Sequence, residues 1–312
     1  MSRRVARQIM QDVAHIHHFT YGWLTPTMAF LLSYLGSLLG LVATARARQS
    51  ESARIRARWL VLGAWSIGGT GIWVMHFMAM IGFSVEDTPL GYDIGVTVAS
   101  WLTAVIVVGL GLFTVGYGRA SVGKVLAAGL FTGVGVAAMH YSGMAAIELR
   151  GTIYYDRARV ALSVVIAVVA ATAALWFTLV ARRLRWIAVI AAIMALAVTG
   201  MHYTGMSAMS VQQRTSGADV PGTDALSFVP ALLIFVLAVV VALLYAILAD
   251  PSAEERQWQE HVRRRFGQAP TTPPRPVPPT APARPDGSSP GPARPARTTG
   301  LGADLNRWRA VR

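Results

Sequence analysis

Apolar residues dominate long stretches of this chain, and polar residues are confined to the short segments between them. A helix that crosses a bilayer needs about 20 largely apolar residues. Seven stretches meet that length, near 24–44, 59–83, 94–117, 123–147, 160–181, 186–209 and 226–249. The connections are short, as between antiparallel neighbours in a bundle. The pattern predicts an all-α membrane protein of seven transmembrane helices. Trp23, Trp59 and Trp186 fall at predicted span ends, where amphipathic rings prefer to sit.

A second pattern lies over the first. The chain repeats with a period of about 63 residues, read from histidines 64 and 62 residues apart. Each unit is a helical hairpin, covering about 24–83, 94–147 and 160–209, and the helix at 226–249 stands outside the repeat. Gly69 and Gly71 precede His76 at the offsets by which Gly133 and Gly135 precede His140, and Ala195 and Ala197 hold these places in the third unit. Small residues at such spacing let membrane helices approach closely. The expected organisation is an extracytoplasmic segment 1–22, a membrane domain 23–250 and a cytoplasmic tail 251–312. Residues Glu254 to Arg265 are charged and extend the last helix in this reading. Eleven prolines between Pro270 and Pro295 then predict a disordered or polyproline-like segment.

Composition sharpens this picture. Of 312 residues, 54% are hydrophobic and 14% charged, against roughly 25% charged in a soluble domain. Charge also orients the bundle, because cytoplasmic loops carry the excess of arginine and lysine. One set of loops holds ten: Arg46, Arg48, Arg54, Arg56, Arg58, Arg119, Lys124, Arg182, Arg183 and Arg185. The other holds Arg150, Arg157, Arg159 and Arg214, with most of the loop acids. The first set is therefore expected inside, with the N-terminus outside and the C-terminus cytoplasmic. The net charge of +13 comes from these flanks and the tail, so it points to membrane lipid and not to nucleic acid. No cleavable signal peptide is visible, since Gln11 to Tyr21 is polar. The absence of cysteine excludes disulfides, thiolate metal sites and iron–sulfur clusters.

The candidate chemistry lies in the repeat. Met75-His76-Phe77-Met78-Ala79-Met80, Met139-His140-Tyr141-Ser142-Gly143-Met144 and Met201-His202-Tyr203-Thr204-Gly205-Met206 share the form Met-His-aromatic-x-small-Met. On a helix a histidine and the methionine four residues later share a face. An imidazole nitrogen beside a thioether sulfur favours copper, especially Cu(I). The candidate metal ligands are His76, Met80, His140, Met144, His202 and Met206, all expected at one depth near the outer face. Met209 falls on the same face as His202 and Met206 and is either a further candidate or lipid-facing filler. Met75, Met139 and Met201 point about 100° away and are expected to pack between helices. Haem is the rival cofactor, because His and Met are both axial ligands, although threefold repetition suits a small ion better. The cluster His15, His17 and His18 is expected outside as a solvated segment able to pass metal inward. A cofactor-free bundle held by His–Tyr hydrogen bonds is the structural alternative. No nucleophile–base pair, phosphate loop or paired carboxylate at depth appears, so an enzyme is not expected.

Met201-His202-Tyr203-Thr204 spells the motif that names the bacterial MHYT-domain family of integral-membrane sensors, which this chain resembles from about residue 20 to 249. The resemblance implies a multi-pass protein of the bacterial plasma membrane that detects a diatomic gas (O2, CO or NO) through copper held by the motif residues. The first copy departs from the name at Phe77 and Met78, and the second at Ser142. Many members carry a cytoplasmic output domain, whereas a Pro/Arg-rich tail follows here, so signalling is expected to use a separate partner on the cytoplasmic side. Copper uptake, storage or delivery is the alternative function.

Overall fold

The computed structural model describes residues 15–86, 88–119, 121–181, 183–213, 220 and 222–248. The expected tail, 251–312, and its helical extension lie outside the described residues. So do the first fourteen residues of the N-terminal segment.

Among the described residues, seven helices are long and apolar enough to cross a membrane. They are α1 (Leu24–Gln49), α2 (Ala53–Ile81), α3 (Ile94–Gly116), α4 (Val122–Ala145), α5 (Arg157–Val180), α6 (Leu184–Met206) and α7 (Val229–Leu248), the last entered through a 3-10 turn at Ala225–Phe228. Local chemistry sets several starts. Asp93, Ser121 and Asp156 each accept a hydrogen bond from the backbone N–H three residues on, capping α3, α4 and α5. Asp93 and Asp156 are 63 residues apart and have the same backbone angles, φ −68° and ψ 117°.

Each helix from α1 to α6 packs on the next, and α6 returns to α1, closing a ring. The extra helix α7 packs outside that ring, mainly on α2. The bundle is inverted relative to a soluble protein. Hydroxyls of Ser33, Ser66, Thr70, Ser100, Thr132 and Ser163 are buried, while Leu102, Ile106 and Leu110, or Leu162, Val165 and Val169, project outward. Hydrocarbon on the outside and small polar residues between helices is the arrangement a bilayer selects.

Short strands, which the hydrophobic pattern does not reveal, sharpen the repeat. β1 (Ile16–His17) pairs with β2 (Ser84–Val85), β3 (Gly91–Tyr92) with β4 (Ile147–Glu148), and β5 (Gly151–Tyr155) with β6 (Met209–Gln213), all antiparallel. The strand before each hairpin thus pairs with the strand after it, closing the open end of all three units. A matched bond reinforces each closure: the N–H of Thr20, Asp93 and Asp156 donates to the carbonyl of Gly82, Ala146 and Ala208, each six residues past a motif histidine. The repeating unit is therefore strand–helix–helix–strand.

The second helix departs from regular form. Trp65–Val74 winds as a π-helix before α-helical geometry resumes at Met75. Wide π turns are rare and concentrate near functional positions. Here the segment contains Gly68, Gly69 and Gly71, and its backbone touches α1 closely enough that a Cβ on Gly36 would run into the backbone of Gly71. The wider winding turns the last segment, which begins with Met75 and His76, relative to the first.

Candidate metal centre

The ring geometry brings the motif ends of α2, α4 and α6 together. His76, His140 and His202 are each at most 1% exposed, and one ring nitrogen of each lies within 4.8 Å of the others. The atoms that converge are the Nδ1 nitrogens. His76 Nδ1 is 3.0 Å from His202 Nδ1 and 3.2 Å from His140 Nδ1. The rings stand edge to face in a trigon, with centroids 5.0, 5.0 and 5.1 Å apart and interplanar angles of 80°, 78° and 87°.

The outer edges of the rings rest on small residues. A Cβ on Gly143 would lie 2.5 Å from Nε2 of His76, and one on Gly205 closer still to Nε2 of His140. Each glycine stands three residues after a motif histidine, so one repeat's glycine seats the preceding repeat's imidazole. Ala79, 2% exposed, holds the equivalent place in the first motif. The small position of the motif is visible in the sequence, but its function as a seat for a ring on another helix is not.

Whether this pocket suits a metal can be judged from its own atoms. A neutral imidazole has one N–H, so protons can bridge only part of a trigon of facing nitrogens. All three Nε2 atoms are buried without a hydrogen-bond partner among the described residues, so packing alone positions the outer edge of each ring. A cation at the centre would engage all three inward lone pairs together. With metal–nitrogen bonds of about 2.0–2.1 Å, tetrahedral ligands would be roughly 3.3 Å apart. The observed 3.0 and 3.2 Å separations reach that with shifts of a few tenths of an ångström. The residues fit a metal ion.

Met80, Met144 and Met206 are buried at 1%, 0% and 2% exposure in the same core. Helical periodicity places each one turn beyond its histidine, toward the strand-closed end. Met209 is a correction to the sequence reading. It begins β6 opposite Tyr155 instead of continuing α6, so helical spacing no longer aligns it with His202. Met75 packs with Ala29 and Ala79, between helices as expected.

The motif aromatics do not bond the histidines. The Ser163 hydroxyl donates to the Val160 carbonyl at 2.8 Å, leaving its oxygen to accept from the Tyr141 hydroxyl at 2.7 Å. The Tyr203 hydroxyl is buried without a partner among the described residues, and the first copy has Phe77. The segment before α1 covers this end of the bundle. Phe19 meets Tyr203 at 5.5 Å between centroids, and His18 meets Phe83 at 5.9 Å. His18 is half-buried, and burial lowers its pKa, whereas His15 and His17 are exposed.

Comparison with known proteins places this architecture. A family model described as "Bacterial signalling protein N terminal repeat" (MHYT) matches residues 69–128, 133–192 and 195–254. The bifunctional diguanylate cyclase/cyclic di-GMP phosphodiesterase MucR of Pseudomonas aeruginosa is 36% identical over 236 residues, 73% of this chain and 33% of that protein. The cyclic di-GMP phosphodiesterase NbdA of the same organism is 36% identical over 200 residues, 62% of this chain and 25% of that protein. The signaling protein YkoW of Bacillus subtilis is 29% identical over 205 residues, 61% of this chain and 24% of that protein. The chain thus spans a third or less of the length of these relatives. No solved structure matches it. Three family matches between residues 69 and 254, each beginning in a motif helix and running into the next helix, show that the chain belongs to the MHYT family of bacterial membrane signalling proteins.

Proposed function

We propose that this membrane domain senses a diatomic gas, or the redox state of its metal, through copper bound at the histidine trigon. The observation that carries the reading is the convergence of three buried Nδ1 atoms, one from each repeat, at 3.0 and 3.2 Å along two edges of the trigon. His76, His140 and His202 would hold the ion, with Met80, Met144 and Met206 as thioether donors one turn away. Copper, when bound, would supply a redox-active centre with a coordination position open to a small ligand. Three imidazoles alone would also suit zinc or iron, so the methionine layer is what favours copper. Haem fits less well, because nitrogens about 3 Å apart leave no slot for a porphyrin between them.

The arginine-rich loops lie at the opposite end of the hairpins from the motifs. The positive-inside rule then puts the trigon near the extracytoplasmic face and the C-terminus in the cytoplasm. The chain's own contribution is to couple the site to helix packing. The rings of His76 and His140 are each attached to one repeat and seated on the next, so a change in ring spacing bears on the contacts between repeats. A ligand shifts such a packing only if it binds the alternatives with different affinity. In this reading the membrane domain is not itself an enzyme, and a cytoplasmic signalling partner or fused domain reads its state.

Metal analysis of the full chain purified in lipid nanodiscs tests the proposal. The expected result is bound copper, lost together with Cu(I) uptake when His76, His140 and His202 are all replaced by alanine. A folded wild-type chain that ignores added Cu(I) would refute it.

A further inference from the structure

The trigon has a floor. A cavity of ≈ 50 Å³ lies inside the bundle, and its lining includes Ile72, Val136 and Val198. Each stands four residues before a motif histidine, one helical turn further into the membrane on the same face. Met201, the neighbour of His202, also lines it. The three repeats therefore stack a methionine layer, a histidine layer and an apolar chamber along one axis. One wall belongs to α5, an outer member of the ring whose Leu162, Val165 and Val169 project outward; there Ala170, Ala171 and Ala174 present only methyl groups to the chamber and are themselves partly exposed.

We propose that this chamber is a binding site for one small apolar molecule of the diatomic-gas class, filled from the bilayer through the alanine wall of α5. The volume is several times the about 10–15 Å³ that admits one water molecule, yet the chamber offers water little. Its lining carries three hydroxyls, those of Ser37, Thr132 and Thr178, among otherwise apolar side chains; the Thr178 hydroxyl donates to the Leu175 carbonyl at 2.7 Å, and the Thr132 hydroxyl to the Val107 carbonyl at 3.4 Å. Water needs two to four polar partners to stay in such a place, and an apolar cavity of this kind remains dry and accepts apolar guests. Diatomic gases dissolve better in hydrocarbon than in water, so the membrane is their reservoir. The use of the chamber to feed the trigon rests on the gas-sensing reading above, whereas its occupancy by an apolar guest does not.

Xenon is the probe, applied under pressure to the full chain in nanodiscs with methyl-labelled methionine. Met194 and Met201 line the chamber, and Met209, buried in β6, does not. The expected result is a saturable xenon-induced shift of the Met194 and Met201 methyl resonances, with Met209 unmoved. Ala171→Phe should abolish the saturable shift, and Ala174→Leu, a smaller addition, should abolish or weaken it at least fivefold while the metal content stays at wild-type level. The combined His76, His140 and His202 alanine variant should still bind xenon. A linear, non-saturable shift, an unchanged shift in both filled variants, or lipid acyl protons in contact with these methyls would overturn the proposal. Xenon binding in a chain that takes up no metal would strike the metal reading alone. Metal uptake without xenon binding would strike the chamber alone.

Discussion

Replacing Gly143 with alanine tests the architecture of the trigon most directly. The new Cβ would sit 2.5 Å from Nε2 of His76, whereas ordinary van der Waals contact begins near 3.4 Å. The ring must therefore retreat by about 0.9 Å. It has nowhere to go, since His76 is 1% exposed and its ring is wedged against two others at 5.0 Å. Metal sites tolerate ligand displacements of about 0.2 Å, so a shift near 1 Å removes one donor of the three. Overpacking of this kind costs about 1–3 kcal/mol of stability, and a displaced ligand environment costs about 10–100-fold in metal affinity. Competition for Cu(I) with a chromophoric chelator reads the affinity, and thermal unfolding in the same nanodiscs reads the fold. Gly205→Ala should behave alike through His140. Gly200→Ala is the control on α6, because its Cβ would meet nothing within 4 Å. It should bind metal normally and gain up to about 1 kcal/mol from reduced backbone freedom. A folded Gly143→Ala protein with wild-type Cu(I) affinity would show that the glycine does not seat the ring.

Other expectations follow from the same geometry. Met144→Leu, close to isosteric, should leave folding intact and weaken Cu(I) about tenfold while leaving zinc affinity unchanged; equal effects on both ions would remove methionine from the ligand set. Tyr141→Phe should cost about 1 kcal/mol by deleting the bond to Ser163, whereas Tyr203→Phe should raise stability by up to about 1 kcal/mol, because it removes a buried hydroxyl that has no partner among the described residues; comparing the two melting temperatures checks this. His18 has its pKa lowered by burial, so the stability it lends the segment before α1 is present above about pH 6.5 and is lost as pH falls toward the lowered value. The amide protection factors at Ile16–Thr20, that is, the exchange rates divided into the intrinsic rate at each pH, should fall between pH 7.5 and 5.5, and His18→Phe should remove that fall. Gly36→Ala should break the α1–α2 contact and reduce folded yield sharply, while Gly63→Ala, whose Cβ would reach only ordinary contacts, should be tolerated.

Much of this architecture is already decided by local sequence. A bilayer demands about 20 apolar residues per crossing, a requirement that does not depend on what packs where. For that reason the seven spans were legible, and the ends of α3 and α4 fall within a few residues of the hydropathy boundaries. The histidine repeat was legible too, because matched register on alternate helices implies matched depth. Strands of two to five residues carry no periodic signal, so the ladders that close each hairpin went unseen. Met209 belongs to such a strand, although the apolar run of α6 continues through it.

The tertiary structure decided which atoms meet. Sequence spacing pairs each histidine with the methionine four residues later on its own helix, but it cannot rank that pair against a partner on another helix. Closure of the ring brings His76, His140 and His202 together, and it is the Nδ1 edge of each that turns inward. Gly143 and Gly205 leave the space that Nε2 occupies, and the small residue of the motif gains its meaning from a ring one repeat away. The chamber below the trigon is likewise a property of six helices and not of any one. The chain alone fixes the spans, the repeat and the donor types, because these follow from burial in hydrocarbon and helical periodicity. Only packing across repeats assigns the ligating atoms, because side chains 64 and 62 residues apart meet in three dimensions and not along the chain.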